Sequence, residues 1–224
     1  MSNSKPLISN LFFIKNSSEK SLYFSNEISL TLFQKKKLNI LKKEHKNIFT
    51  VDTSNNFIIQ PKKLSHTFKD FDLKKTIGVE KDKIEKKDNI TNDTILSFFF
   101  NEQKLIGFKK NVNHIAEILL KYSLKLKDNN PIVNILIFKK KVFISITKKN
   151  KILFYNQFKY KADNYIKYIL LVFEEYNLNR IKQEINLIEG DSPSSNYKKS
   201  LDNYFVNINF NKKSIFEIIT EFYE

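Results

Sequence analysis

The residues in this chain best suited by type and spacing to bind an anion are Gly190-Asp191-Ser192-Pro193, at the end of the strand-like run Ile185 to Gly190. Glycine lets a backbone approach a ligand closely. Ser192 has the character of a helix N-cap and Pro193 that of a first helical residue, and free N–H groups at a helix start attract phosphate. The same residues make an ordinary turn and cap with no ligand, since such caps open most helices. A second cationic element, Lys139-Lys140-Lys141, separates two apolar runs and can hold a phosphate by charge alone.

Nucleophile and metal chemistry find less support. The chain has no cysteine and no Gly-x-Ser-x-Gly elbow, so Ser192, Ser194 and Ser195 read as cap and loop residues. His45, His66 and His114 stand apart, without the His-Glu-x-x-His or paired spacing of a zinc site. His114, beside Val112 and Ile115, reads as a boundary residue. No catalytic residue and no metal ligand is assigned.

The elements that would position these residues are clearest after Pro131. Ile132 to Phe138 is almost continuously apolar, as a strand covered on both faces must be. Val142 to Thr147 alternates, Lys148-Lys149-Asn150 turns the chain, and Lys151 to Phe158 returns, so three antiparallel strands form a meander. The period then changes. Tyr165, Ile166, Ile169, Leu170, Val172, Phe173 and Tyr176 fall at helical spacing, with Asp163 placed to cap or favour the helix start. A strand at Ile185 to Gly190 follows, parallel to the first because a helical crossover favours that sense. The order is β-β-β-α-β. The C-terminal segment Ser214 to Tyr223 carries a helical apolar face that can dock on its own lobe or on a partner.

The first half shows a worn version of the same order. Leu22 to Ile28 can be laid over Ile152 to Phe158, placing Phe24 with Phe154 and Asn26 with Asn156. On that overlay an apolar strand and the polar turn Lys15 to Lys20 come before it. A helix at Thr31 to Lys46 and a strand at Ile48 to Val51 follow, and the opening strand is missing. Between the copies lie Phe57 to Pro61, a helical segment near Leu64 to Lys75 and a charged, mobile connector from Glu80 to Asn92. A strand at Ile95 to Phe100 and an amphipathic helix at Val112 to Leu126 complete the half. Pro131 marks the lobe boundary, giving a first, partly eroded lobe at 1–129 and a second at 130–224.

The chain is strongly basic, with a formal net charge of +15, which invites a nucleic-acid reading. Its cations are otherwise lysines, however, and Arg180 is the one arginine, so the guanidinium forks suited to base and phosphate recognition are almost absent. Lysines spread through both halves describe a solvated surface, in a composition that A/T-rich codons would produce. Nonspecific attraction to nucleic acid stays open. No apolar run reaches the ~18 to 20 residues that span a bilayer, and the N-terminus lacks the features of a signal peptide. A cytoplasmic location is expected.

Two β-β-β-α-β lobes in tandem define an α/β fold of duplicated ribonuclease H-like, or actin-like, type. The segments Phe57 to Pro61, Asn134 to Leu178, Ile185 to Asp191 and Leu201 to Ile208 resemble the uncharacterised bacterial family numbered 3822 among the domains of unknown function. That family carries an actin-like ATPase fold. The resemblance implies a nucleotide site between the lobes, fed by glycine- and aspartate-bearing turns from each. Here the glycines are only Gly78, Gly107 and Gly190. The second-lobe turn is lysine-rich, and a first-lobe turn near Ser9 and Asn10 has neither aspartate nor glycine. Lys140, Gly190, Asp191 and Ser192 therefore form the candidate inter-lobe anion site for ATP or ADP, without a carboxylate placed to hold Mg²⁺. A ribonuclease H-like nuclease would need carboxylates converging from the first strand, and Ile132 to Phe138 has none.

The expected role is a non-catalytic adaptor or regulatory protein with a protein partner. The alternatives are a degenerate ATP- or ADP-binding switch with weak or no hydrolysis, and nonspecific nucleic-acid binding through the lysine-rich surface.

Overall fold

The computed structural model describes residues 10–15, 22–25, 31–32, 47–65, 73–80, 82–102, 111–126 and 128–224. The chain divides into two compact units, Met1–Glu117 and Ile118–Glu224. The division falls inside the helix that includes Glu117 and Ile118.

The first unit contains strands β1 (Asn10–Lys15), β2 (Leu22–Ser25), β3 (Thr31–Leu32), β4 (Asn47–Asp52), β5 (Phe57–Pro61), β6 (Ile84–Asn89), β7 (Thr94–Phe100) and β8 (Val112–His114). One sheet has the order β3-β2-β1-β4-β8, with β1 antiparallel to β2 and parallel to β4. Leu11, Phe12, Phe13 and Ile14 are all buried, so β1 is covered on both faces. Phe12 stacks on Phe49 with ring centroids 5.5 Å apart. This strand fills the place that the sequence reading left empty. Leu22–Ser25 is accordingly the second strand, and its overlay on Ile152 to Phe158 is displaced by one strand. Thr31 and Leu32 are strand rather than helix; 33–46 and Asn26 lie outside the described residues, as do His45 and His66. The connection between β1 and β2 spans 16–21, not the neighbourhood of Ser9 and Asn10.

A smaller sheet has the order β5-β7-β6, with β7 in the centre and buried from Ile95 to Phe100. Its edge strand β6 lies within the stretch read as a mobile charged connector. Pairing reconciles the charges with a strand: Lys86 Nζ donates to the Val112 carbonyl at 2.6 Å and lies 3.5 Å from Asp88, while Lys87 lies 3.5 Å from Glu85. The helical segment expected near Leu64 to Lys75 is a 3₁₀ turn at Lys62–Ser65 and one helical turn, α1 (Leu73–Thr76); 66–72 lie outside the described residues.

The expected helix at Val112 to Leu126 begins as β8 and becomes α2 (Ile115–Lys125). His114 causes the break. Its Nε2 donates to the Ser54 carbonyl at 2.8 Å, and its Nδ1 accepts the Ala116 N–H at 3.1 Å. The ring packs against Phe57 and Phe98, making His114 a hydrogen-bonded core residue.

The second unit contains β9 (Ile132–Phe138), β10 (Lys141–Lys148), β11 (Lys151–Lys159), α3 (Tyr165–Glu175), β12 (Ile185–Ile188), α4 (Ser195–Leu201), β13 (Ile208–Phe210) and α5 (Ile215–Tyr223). Its sheet has the order β11-β10-β9-β12-β13, with an antiparallel meander and then two parallel pairings. Val133, Ile135 and Ile137 with Val142, Ile144 and Ile146 face Tyr165, Ile169 and Phe173 of α3. The opposite face meets α2 through a buried polar cluster: Ser123 Oγ bonds to the Leu119 carbonyl, to Ser145 and to the Asn134 amide at 2.8–2.9 Å. Tyr122 donates to Asn211 at 2.7 Å, which explains why the C-terminal part of α2 belongs with this unit.

Helix α5 lies on that same face. Phe216 meets Phe138 edge-on, and Ile215, Ile218 and Ile219 are buried, so its apolar side docks on its own unit. Ser214 and Glu217 close its first turn as a capping box. The other expected caps differ. Asn164 and Ser194, not Asp163 and Ser192, precede α3 and α4, and neither makes a side-chain cap bond. Both have helical backbone angles, from which a side chain does not fold back onto the first turn as it does from an extended N-cap. Pro193 lies before α4, and its carbonyl accepts the Asn196 N–H at 3.0 Å.

Candidate functional site

The predicted site residues meet at the carboxyl ends of two parallel strands, β9 and β12. Lys139 and Lys140 form the two-residue β9–β10 connection with φ of 48° and 57°, the left-handed pair that a tight hairpin turn demands. Beside it, Gly190 crosses so close to β9 that a Cβ there would lie 2.3 Å from the Ile137 carbonyl oxygen. This approach requires glycine at 190 with no ligand invoked.

Asp191 follows and turns back onto the hairpin. Its Oδ1 accepts the Lys139 N–H at 3.3 Å and its Oδ2 lies 3.2 Å from Lys139 Nζ. A carboxylate of the chain itself therefore sits on a turn N–H and an ammonium group, donors that a phosphate oxygen would also use. Lys140 points into solvent while its carbonyl accepts the Tyr160 N–H at 3.1 Å. Ser192 is half-buried in the bend before α4.

Tyrosines line the neighbourhood. Tyr165 packs against Tyr160 and Tyr197, with centroids 5.3 and 5.7 Å away. Burial pushes the Tyr160 phenol well above its ordinary value, and Tyr197 and the negative Asp191 push it further. Burial raises Tyr165 too, with a hydrogen bond to Ser200 partly offsetting it. These phenols stay neutral through the physiological range and can donate hydrogen bonds but not act as bases.

The first unit holds a polar turn that the sequence reading did not single out. Asp52 ends β4, Thr53 and Ser54 follow it, and all three are buried. Asp52 Oδ1 accepts the Ser54 N–H at 2.7 Å, and the Ser54 carbonyl takes the His114 bond described above. Three small polar residues directly after an apolar strand are the signal that could have found it. Elsewhere in this unit, Asp88 is raised from 3.8 to about 6, by burial first and by the charge of Glu117 second, with Lys86 opposing. Among the described residues no group of three or more His, Asp or Glu side chains could hold a metal ion.

This arrangement of sheets and helices has an actin-like ATPase fold. A solved protein of Bacteroides thetaiotaomicron, described as having an actin-like ATPase fold and unknown function, superposes with a TM-score of 0.73. It is 14% identical, with 96% of each chain covered. A chain of the PilM–PilN type IV pilus biogenesis complex superposes with a TM-score of 0.57 at 9% identity, covering 92% of this chain and 89% of its own. The chain belongs to the family DUF3822, described as proteins of unknown function, whose model matches residues 31–208. No curated protein matches the sequence. Among the described residues no helix is long and apolar enough to cross a membrane.

Proposed function

We propose that this protein is a non-catalytic, cytoplasmic adaptor of the actin-like fold, built from two ribonuclease H-like lobes that arose by duplication. The shared strand order of its two five-stranded sheets, each a meander followed by parallel strands, supports the duplication. The observation that carries the functional reading is Asp191. An ATPase of this architecture leaves its hairpin turn open for phosphate; here the turn N–H and Lys139 are already bonded to an internal carboxylate. That carboxylate repels phosphate as well as blocking its donors. With Gly190 required by packing and Asp191 turned onto Lys139, Lys140 is the one cation of the four candidates, and it attracts an anion only as an exposed point charge.

A fold whose second-unit turn is closed to phosphate in this way can serve to hold another protein. The PilM–PilN assembly, in which a chain of this fold belongs to a protein complex, supports that use.

Thermal unfolding with ATP or ADP, each with and without Mg²⁺, tests the proposal. The adaptor reading expects an unchanged midpoint. A clear rise that disappears in a Lys140→Ala variant would establish the rival nucleotide-responsive switch, for which Lys140, Asp191 and Ser192 would be the contacts.

A further inference from the structure

Among the described residues, β13 is the outer edge of the second sheet, with no strand paired beyond it. β13 pairs with β12 in parallel, Ile208 beside Ile185 and Phe210 beside Leu187. Ile185 N–H donates to the Asn207 carbonyl and Asn211 N–H to the Leu187 carbonyl, both at 2.9 Å. In a parallel ladder alternate residues turn their main chain to the partner, so Asn207, Asn209 and Asn211 face β12. The N–H and C=O groups of Ile208 and Phe210 face outward, and among the described residues none bonds to them.

Side chains around this edge are apolar and open. Ile208 and Phe210 fall on one face of the strand, and Val206 lies in the bend before it. Ile208 is buried, but Val206 is 66% and Phe210 49% exposed, and Ile181 is 67% exposed. Ile181 sits beside them because Val206 N–H donates to the Arg180 carbonyl at 3.3 Å and the Asn207 amide to the Ile181 carbonyl at 2.8 Å. Soluble proteins usually guard such edges with charge, proline or a cover.

The charges flanking β13 itself are basic, while Glu184 and Glu189, both exposed, flank β12 one strand further in. Arg180 stands at the Val206 end and Lys212 follows β13, both exposed. Asp202 pairs with Lys198 and Glu221 with Lys213. Two copies pairing antiparallel through β13 would bring Lys212 of each toward Arg180 of the other, a like-charge opposition that disfavours self-pairing.

We propose that β13 is a docking edge on which an extended segment of a partner protein adds as a further strand, with apolar residues alternating along it and acidic residues at its ends. Main-chain bonds to Ile208 and Phe210 supply the pairing, Val206, Phe210 and Ile181 receive alternate side chains, and Arg180 and Lys212 select acidic flanks. Its biological sense rests on the adaptor reading, but its test is separate: failure here would leave the response to nucleotide unchanged.

The test uses fluorescence anisotropy on the full chain. The probe is a labelled short peptide of alternating valine and threonine flanked by glutamates, with a lysine-flanked peptide as comparison. The acidic peptide is expected to bind, more tightly at low salt, and the lysine-flanked one to bind at least about tenfold more weakly. Phe210→Pro removes an outward N–H while keeping the ladder to β12, so it should weaken binding about tenfold. Should that variant unfold, the double variant Arg180→Glu, Lys212→Glu, confined to exposed positions, should reverse the preference between the peptides. No binding of the acidic peptide, equal binding of both, or binding indifferent to a folded Phe210→Pro chain would overturn the proposal. So would a dimer in solution that Phe210→Pro converts to monomer, which would make a second copy the occupant.

Discussion

Replacing Gly190 with alanine separates two reasons for a glycine at this position. If glycine serves a phosphate, alanine should alter ligand binding and leave stability nearly unchanged. If it serves the packing of β12 against β9, alanine should destabilise the second unit. The added Cβ would lie 2.3 Å from the Ile137 oxygen and 3.3 Å from both Ile137 C and Leu136 Cδ1. The first contact is about 1 Å inside an ordinary van der Waals distance, and the atom it meets is backbone of a central strand, which cannot swing aside. Overpacking of this kind costs about 1–3 kcal/mol, and a rigid neighbour places Gly190→Ala at the upper end. For a unit of this size that lowers the melting temperature by roughly 10 °C. Circular dichroism or calorimetric melting of parent and variant measures it. A variant melting within about 2 °C of the parent would refute the packing argument.

Other outcomes follow from local chemistry. Folded Asp88 holds its proton up to about pH 6 against 3.8 ordinarily, so its contribution to stability is full below the lower value and is lost as pH rises through the upper one. Urea midpoints should fall across that window in the parent and lose this slope in Asp88→Asn. Ser123→Ala removes the shared partner of Ser145 and Asn134 in a buried cluster and should cost about 1–3 kcal/mol by urea denaturation. Ser214→Ala opens the capping box of α5 and should cost about 1 kcal/mol. The Ser214 N–H and hydroxyl hold the Glu217 carboxyl below its usual range, so its contribution should be lost on acidification through that lowered value, and an NMR pH titration of Glu217 should return toward normal in Ser214→Ala.

The second unit was largely legible because its signals are long and do not compete. Ile132 to Phe138 is too apolar for an edge, and the spacing from Tyr165 to Tyr176 admits one helix face. In the first unit local patterns misled. Val112 and Ile115 fall at helical spacing, yet the pairing of Thr50 with Val112 and the hydrogen bonds of His114 hold 112–114 in the sheet. Strand β6 alternates poorly because Lys86 and Asp88, on its inner face, neutralise each other rather than avoid burial. The overlay of Leu22 on Ile152 matched residue types between strands that occupy different places, which only the pairing of β1 with both β2 and β4 reveals. At the candidate site the residue types were readable. The turn of Asp191 onto Lys139 was not, because those residues lie far apart in sequence and meet through the parallel pairing of β12 with β9.

The central claim is that Asp191 already occupies the donors that would otherwise take a phosphate. Calorimetric titration of ATP with Mg²⁺ into the parent chain and into Asp191→Ala tests it most directly. The account predicts no saturable heat in the parent, with any phosphate affinity emerging only once the carboxylate is gone. Saturable binding to the parent, reduced in Asp191→Ala, would contradict it by making Asp191 a ligand-binding residue.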